Sequence, residues 1–363
     1  MRIHRSNLRR YIAFIFLLTS APGCTPTLLP FSTDIPAQTM TSVETPRVRD
    51  DRPRFREIFC SLLRQRNKNQ IKPILCDDHL WRLSDEPYSS QPPRPLPKHD
   101  TRFRLVLVPG AFAECFPKIG FPFESSTDWL EKIGYRIEKI QVSGRSSSEN
   151  NARQIALAVE EMDMRDGERL ILIGYSKGAT DILHYLVDYP DISDRVAAFL
   201  SVAGAINGSA LADAFGDTYI EWFSETNLAA CGRGDRGLFE SLKRSKQSKW
   251  MAAHPLPIQV NYFSMVAFTN RENVQPALLG TYDLLKGIDP RNDSQLLFYD
   301  QVIPGSSLLG YFNSGHWDIA VSARKMLGEM DAEKREALRD TLFEAMVLSV
   351  VESLQKSDIP DSQ

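Results

Sequence analysis

The sequence has little of what marks several common classes of protein. Beyond its first residues it contains no block of Lys and Arg, and its net charge is only −3. Proteins that bind nucleic acids neutralise phosphates with basic patches, so no nucleic-acid partner is expected. The HExxH and CxxC spacings of zinc sites are also missing, which argues against a hydrolytic metal site, and no cofactor is expected. Internal repeats are absent as well.

What the sequence does contain is the composition of a globular protein. It has 363 residues, of which 42% are hydrophobic, 10% aromatic and 25% charged. These fractions argue against a largely disordered chain. The length suffices for one large α/β domain with additional segments, or for two small domains.

The N-terminus has the three-part pattern of a secretion signal. A basic start (MRIHRSNLRR) is followed by a short apolar run (YIAFIFLLT) and a stretch of small residues (SAPGC). The apolar run is too short for a typical transmembrane helix. Because the pattern ends at Gly23-Cys24, it resembles a bacterial lipoprotein signal, although Ala21 and Pro22 depart from the usual residues before the cysteine. The resemblance implies a signal peptide at residues 1–23 and a lipid on Cys24. Cleavage at a nearby bond and an uncleaved anchor are the alternatives.

The residue after Cys24 bears on location. Gram-negative lipoproteins that stay in the inner membrane commonly have aspartate there, whereas this chain has Thr25. The resemblance therefore implies an exported protein of the bacterial cell envelope, attached to the outer membrane through its lipid and facing the periplasm.

Five cysteines fit an oxidising compartment, where disulfides persist. If Cys24 carries lipid, four remain, and four cysteines can pair in three ways. We expect Cys60–Cys76 as a local disulfide and Cys115–Cys231 as a long-range one. Free buried thiols are the alternative.

Changes in composition divide the chain into segments. Residues 24–53 are rich in Pro, Thr and Ser without a lasting period, which predicts a flexible tether. Residues 54–100 are predicted to form a small extension with a helix (FREIFCSLLRQ) and a Cys-bearing turn. The main domain is predicted at 101–356. Within it, the alternation of strands and helices breaks at about 207–255, which predicts an inserted cap over one edge of the sheet.

The main domain alternates short β-rich runs with helical segments. The β-rich runs are FRLVLVPG, YRIEKIQVSG, RLILIGYSKG, AAFLSVAGA, IQVNYFSMVAF and SQLLFYD. The helical segments are NNARQIALAVEEM, ATDILHYLVDY, PALLGTYDLLKGI and the long amphipathic DAEKREALRDTLFEAMVLSVVESLQ. Continuous apolar strands separated by helices predict an α/β fold with a mostly parallel, doubly wound sheet covered on both faces.

The stretch LILIGYSKGATDILHYL carries the strongest indication of catalysis. Its GYSKG fits the pattern G-x-S-x-G, which is weak alone but here follows an apolar strand and precedes a helix. A serine at such a turn has strained dihedral angles, and flanking glycines let strand and helix approach each other. Ser176 is therefore the predicted nucleophile, at a helix N-terminus whose dipole favours negative charge.

A nucleophilic serine needs a base, an acid that orients the base, and donors for the oxyanion. With the chain order Ser, acid, His, the late His316 in GYFNSGHWDIA is the predicted base. Asp300 is the predicted acid because it ends the run SQLLFYD, interpreted as a strand. Asp289 and Asp293 precede that run, at its wrong end for this role, and Asp293 is the next candidate.

The oxyanion donors are predicted to be two backbone amides. One belongs to Lys177, directly after the serine. The other belongs to Ala111, in the loop after the first core strand, with Phe112 as the alternate donor.

At these residues the chain from about Thr101 to Leu354 resembles the α/β-hydrolase superfamily, and its lipases and esterases in particular. The matching stretches are Pro-Gly after the first strand, GYSKG, SVAGAINGS, and DQVIPGS before GHW. Pro109-Gly110 stands where lipases usually have His-Gly. The resemblance implies a serine hydrolase that cleaves carboxylic esters, lipids included, through a covalent acyl-enzyme. Thioesterase or peptidase activity, and a non-catalytic envelope lipoprotein that binds a partner, are the alternatives.

Overall fold

The computed structural model describes residues 47–66, 75–83, 86, 92–115, 121–214, 234–235, 237–321 and 332–357. The predicted signal peptide, Cys24 and most of the predicted tether lie outside the described residues. So do Cys231 and the middle of the predicted cap. Within the described ranges, no helix combines the length and apolar character needed to cross a bilayer.

The described strands form one sheet. They are β1 (Arg49–Asp50), β2 (Leu80–Trp81), β3 (Phe103–Val108), β4 (Ile137–Lys139), β5 (Arg169–Tyr175), β6 (Val196–Val202), β7 (Asn261–Phe268) and β8 (Ser307–Asn313). Their order is β1-β8-β7-β6-β5-β3-β4, and β2 also pairs with β8. All pairings are parallel except that of β2. The predicted α/β fold with a mostly parallel, doubly wound sheet is confirmed.

Helices connect these strands. They are α1 (Arg52–Arg66), α2 (Glu124–Lys132), α3 (Ser148–Glu160), α4 (Lys177–Asp188), α5 (Pro190–Ser193), α6 (Ala210–Ala214), α7 (Leu238–Leu242), α8 (Arg244–Ala253), α9 (Leu279–Lys286) and α10 (Ala332–Ser357). Short 3₁₀ turns lie at Cys76–Asp78, Ala113–Cys115, Arg271–Asn273, Pro276–Leu278 and Phe298–Gln301. Of the parts of the predicted cap that are described, α6, α7 and α8 lie between β6 and β7 in the chain.

The apolar residues pack in two main layers, one on each face of the sheet. Successive residues of a strand point to opposite faces, so Leu105 and Leu107 of β3 enter one layer while Val106 enters the other. Helices α1, α2 and α10 cover the first layer, and α3 and α4 cover the second. The residues that the helical period of α10 places on one face, Leu342, Met346, Val350 and Leu354, are all buried. Both faces of the sheet are therefore covered.

The N-terminal extension closes one side of the sheet. Strand β1 pairs with β8 through Arg49 and Ser307, and α1 begins at Arg52, so β1 and the start of α1 lie inside the segment predicted as a tether. A disulfide joins Cys60 to Cys76, with Cα atoms 5.3 Å apart, as the sequence predicts. The extension is therefore held by both a disulfide and the sheet.

The parallel strands bring their carboxyl ends to one edge. The loops that follow β3, β5, β7 and β8 all leave the sheet there. Ligand and catalytic sites of open parallel sheets lie at this edge. The site described next is built from these loops.

Candidate active site

Ser176 occupies the sharp turn between β5 and α4. Its dihedral angles are φ 55° and ψ −126°, which a residue with a Cβ rarely adopts. Its amide donates to the carbonyl of Val202 at 3.2 Å, which ties the turn to the neighbouring strand β6. The turn therefore holds the serine hydroxyl above the carboxyl edge, at the N-terminus of a twelve-residue helix.

The two glycines of GYSKG are required by close packing. A Cβ on Gly174 would lie 2.6 Å from the Cα of Ala179, in the first turn of α4. A Cβ on Gly178 would lie 2.4 Å from the carbonyl oxygen of Pro109, in the loop after β3. Any side chain at either position would push apart the segments that converge on Ser176.

The structure brings His316 next to Ser176. Its Nε2 lies 2.8 Å from the Ser176 Oγ, within hydrogen-bond distance. The hydroxyl of Tyr175, on β5, donates to the carbonyl of His316 at 2.7 Å. Burial raises the pKa of Tyr175 well above its ordinary value, so this hydroxyl stays a donor at neutral pH. The tyrosine before the serine therefore holds the backbone of the histidine.

The acid beside the histidine is Asp293, and the prediction of Asp300 is wrong. The Oδ2 of Asp293 lies 2.6 Å from the His316 Nδ1, and the His316 amide donates to the Asp293 carbonyl at 2.8 Å. The other carboxylate oxygen of Asp293 accepts from the amides of Gln295 at 2.9 Å and Leu296 at 2.7 Å. Asp293 is completely buried, and each of its oxygens has a partner.

The error came from the secondary structure assigned to SQLLFYD. That run is not a strand: Phe298–Gln301 is a 3₁₀ turn, and the last strand among the described residues is β8, at Ser307–Asn313. Asp293 therefore does not precede a strand at its wrong end. It lies in the long connection from the carboxyl end of β7, the edge at which Ser176 also stands.

Asp300 instead connects the main domain to the insertion. Its Oδ1 accepts from Arg244 Nη2 at 3.2 Å, and its carbonyl accepts from the amide of Asn207 at 3.0 Å. Among the described residues its Oδ2 has no hydrogen-bond partner. Burial raises the pKa of Asp300 to about 7, and Arg244 opposes part of this rise. Asp300, in the segment before β8, thus holds the start of α8 through Arg244.

Two backbone amides beside Ser176 are available for an oxyanion. Among the described residues, the amides of Ala111 and Lys177 have no acceptor. The alternate donor is ruled out, because the amide of Phe112 donates to the carbonyl of Gly144 at 3.0 Å. A Cβ on Gly110 would lie 2.8 Å from the Ser176 Cβ, so the peptide leading to Ala111 passes directly over the serine. We call residues 109–115 the oxyanion loop.

The side chain of Lys177 has a place that the motif does not predict. Its Nζ donates to Asp181 Oδ1 at 2.5 Å, and both side chains are only 1% exposed. Asn151 of α3 donates to the other oxygen of Asp181 at 2.8 Å. Burial raises the pKa of Asp181, and the Lys177 ammonium offsets part of this rise. The i,i+4 spacing of Lys and Asp was the one sequence signal for this pair. The Lys177–Asp181 pair, together with Asn151, fixes the first turn of α4 against α3.

An apolar cavity of about 220 Å³ opens beside Ser176 and His316. Sequence reasoning did not identify its walls, since no motif or period marks them. Six of its large apolar side chains are Leu211 of α6, Leu238, Phe239 and Leu242 of α7, and Leu296 and Trp317 from the segments next to Asp293 and His316. The insertion thus contributes much of the wall, and the cavity suits an apolar group placed next to the serine.

The other predicted site features are only partly within the described residues. Cys115 ends the oxyanion loop, is buried and is disulfide-bonded, but its predicted partner Cys231 lies outside the described residues. Within the described part of the chain, no cluster of three or more His, Cys, Asp or Glu side chains is arranged to hold a metal ion.

Comparison with solved structures finds similar proteins among ester hydrolases. The chain is 34% identical to the metagenomic carboxyl esterase MGS0156, with a TM-score of 0.78, over 90% of this chain and 97% of that one. The Bacillus licheniformis lipase BlEst2, in its propeptide form, is 18% identical with a TM-score of 0.50, over 62% of this chain and 48% of that one. The second likeness concerns the fold alone. No protein-family model matches the chain, and no curated protein does.

Proposed function

Because the chain belongs to the family of α/β-hydrolase carboxyl esterases, we propose that it cleaves carboxylic esters with a Ser176–His316–Asp293 triad. One observation carries this proposal. A continuous chain of hydrogen bonds runs from the Ser176 Oγ through both ring nitrogens of His316 to the Asp293 carboxylate, at 2.8 Å and 2.6 Å. This is the geometry in which a neutral imidazole can remove the proton of a serine hydroxyl.

In the proposed reaction the ester is cleaved in two steps. The Ser176 Oγ attacks the acyl carbon while its proton passes to His316 Nε2, which forms a tetrahedral oxyanion. The C–O bond to the alcohol then breaks, His316 returns the proton to the leaving oxygen, and an acyl-enzyme remains. A water molecule, deprotonated by His316, attacks the acyl carbon of the acyl-enzyme. The bond from that carbon to the Ser176 Oγ then breaks, His316 returns the proton to this oxygen, and the carboxylic acid leaves. Asp293 keeps the Nδ1–H in place and stabilises the imidazolium at each stage.

The oxyanion is stabilised in this scheme by the amides of Ala111 and Lys177. Lys177 follows Ser176 in the sequence, and Ala111 follows Gly110, which packs against Ser176. Both amides lack an acceptor among the described residues. Donors already fixed where negative charge develops lower the barrier without a cost of reorganisation. The N-terminus of α4 adds partial positive charge at the same point.

The cavity beside Ser176 supports a proposal for the substrate class. We propose that its apolar wall, built largely by α6 and α7, receives the acyl chain of the ester. The wall holds aliphatic and aromatic side chains rather than charged ones, so esters with apolar acyl groups are the preferred substrates. Lipids with such acyl chains belong to this class.

The test compares Ser176→Ala with the wild-type protein on p-nitrophenyl esters of increasing chain length. We expect the variant to lose about a thousandfold or more in kcat and to lose labelling by a fluorophosphonate, which reacts only with an activated serine. Ser193→Ala is the matched control, because Ser193 precedes β6 at the opposite edge of the sheet and donates to Pro190. A Ser176→Ala variant that keeps more than about a hundredth of wild-type activity would exclude the serine mechanism. Faster turnover of thioesters or peptides than of esters would change the substrate class.

We also propose that the protein is exported and attached to the outer membrane through a lipid on Cys24. The support is the basic start, the short apolar run and Gly23-Cys24 in the sequence. Globomycin, or Cys24→Ser, should release the protein or leave it unprocessed. Unchanged mobility and membrane fractionation after both treatments would exclude the lipid anchor.

A further inference from the structure

The oxyanion loop is held from outside by a second loop, residues 143–147, which follows β4. The first contact is the hydrogen bond from the Phe112 amide to the Gly144 carbonyl, 3.0 Å long. Phe112 has φ 61°, in the left-handed region that a residue with a side chain seldom adopts. This conformation therefore needs support from its surroundings, and Gly144 supplies it.

The second contact runs in the opposite direction. The amide of Gly144 donates to both carboxylate oxygens of Glu114, at 2.7 Å and 2.8 Å. Glu114 lies two residues after Phe112, so the oxyanion loop both donates to Gly144 and accepts from it. The two loops are clamped together at one residue.

Gly144 cannot be replaced without moving this clamp. A Cβ on Gly144 would lie 2.4 Å from the amide nitrogen of Phe112 and 2.4 Å from a carboxylate oxygen of Glu114. These distances are far below contact distance, so even alanine must displace the oxyanion loop. Glycine at position 144 and the hydrogen bonds in both directions thus both depend on the close approach of the 143–147 loop to the oxyanion loop.

The 143–147 loop is itself well anchored. Ser147 begins α3 as its N-cap, and its hydroxyl accepts from the amide of Asn150 at 3.2 Å. Its amide and hydroxyl donate to the carboxylate of Asp235, in the insertion, at 2.7 Å and 2.6 Å. Gly144 is therefore connected to a helix and to the insertion, and it presents a fixed surface to the oxyanion loop.

We propose that Glu114 and Gly144 are positioning residues for the esterase reaction, which hold the amide of Ala111 on the oxyanion. Glu114 is not itself a donor, since its carboxylate has no hydrogen to give. Its effect passes through Gly144 to the conformation of Phe112, and from Phe112 to the preceding peptide, which Gly110 places over Ser176. The inference rests on the proposed triad and adds to it the cause of the loop's conformation.

Three single variants, and the double variant that combines Glu114→Ala with Gly144→Ala, test the clamp from both sides. Glu114→Ala removes the acceptor of the Gly144 amide, Glu114→Gln keeps one acceptor oxygen, and Gly144→Ala leaves Glu114 intact but forces the loops apart. The readouts are kcat and KM on one p-nitrophenyl ester, the affinity for a boronic acid that forms a tetrahedral adduct with serine, and the thermal midpoint. Ser176→Ala is measured beside them.

A misplaced donor should act on the tetrahedral state and not on ground-state binding. We expect Glu114→Ala and Gly144→Ala each to lower kcat by about 10- to 100-fold, with boronate affinity falling in parallel and KM within about threefold. Glu114→Gln should lose no more than about threefold in kcat, and the double alanine variant should cost little more than the worse single one. Retention of kcat in Glu114→Ala, equal losses in Ala and Gln, or losses in KM alone would overturn the positioning role. An active Ser176→Ala would instead refute the triad, so the two failures are distinguishable.

Discussion

Replacement of two aspartates by asparagine separates the observed acid from the one that the sequence predicted. In Asp293, one carboxylate oxygen accepts from the amides of Gln295 and Leu296. These two donors will hold the carbonyl oxygen of an asparagine in the same place. The NH₂ group of Asp293→Asn must then point at His316 Nδ1, which it can approach only when that nitrogen carries no proton.

This substitution therefore selects the wrong tautomer of His316. The proton moves to Nε2, which can no longer accept the hydroxyl proton of Ser176. A lost orienting aspartate of this kind lowers kcat by roughly 10⁴-fold, or about 5 kcal/mol in the activation barrier. Asp300→Asn is the matched control. It keeps the oxygen that accepts from Arg244, and no described hydrogen bond joins Asp300 to His316, so kcat should stay within about threefold.

The assay is steady-state hydrolysis of a p-nitrophenyl ester by both variants, with circular dichroism and thermal unfolding to show that each is folded. The reasoning would be refuted if Asp300→Asn lost more than about a hundredfold while Asp293→Asn remained near wild type. Equal small losses in both variants would show that neither carboxylate orients the base.

Three other properties can be tested on the same protein. Since burial raises the pKa of Asp300 from 3.8 to about 7, the folded protein keeps a proton that the unfolded chain has lost, and its free energy of unfolding should fall as pH rises through this range, by up to about 4 kcal/mol. Urea unfolding at pH 5 and pH 8 should show that the free energy of unfolding depends less on pH in Asp300→Asn than in the wild-type protein. An equal change between the two pH values in both proteins would contradict this. Replacing Cys60 and Cys76 with serine should cost about 3 kcal/mol of stability, and an unchanged urea midpoint would exclude that contribution. Non-reducing peptide mapping should recover Cys115 linked to Cys231; a link to any other cysteine would disprove the pairing.

The parts of the fold and of the candidate site that could be predicted from the sequence have either a local sequence signal or a known chain order. Ser176 lies in a five-residue motif whose glycines are explained by two close approaches. His316 follows from chain order alone. The helix α10 was visible because its apolar period runs over a long segment and all the residues it marks are buried.

Asp293 was not the first choice for the acid because the buried apolar run SQLLFYD was interpreted as a strand. Leu296 and Leu297 are buried, as expected for a strand. Leu297, however, packs in a small separate cluster with residues of α6 and α9, and Leu296 lines the cavity beside Ser176. The true strand, SLLGYFN, begins only seven residues after Asp300 and has a similar composition. An apolar run of this length does not distinguish a strand from a buried turn.

The alternate oxyanion donor was wrong for a different reason. Whether the amide of Phe112 is free depends on Gly144, which approaches it only in the folded chain. No local pattern around Phe112 carries that information. The same holds for the cavity wall, whose residues come from segments far apart in the sequence.

The pairing of β1 with β8 has a consequence for how the chain folds during synthesis. Arg49 of β1 donates a hydrogen bond to Ser353 of α10, 304 residues later in the chain, and Arg54 of α1 binds Glu352, which also lies in α10. Closing a loop of that length costs roughly 5 kcal/mol of chain entropy before any contact compensates it. The outer edge of β8 can be covered only once β8 has left the ribosome and met residues that were made first. Until then the sheet of the nascent chain is incomplete. The native state is reached only when the N-terminal strand β1 pairs with the much later strand β8, and not by adding strands in the order of synthesis.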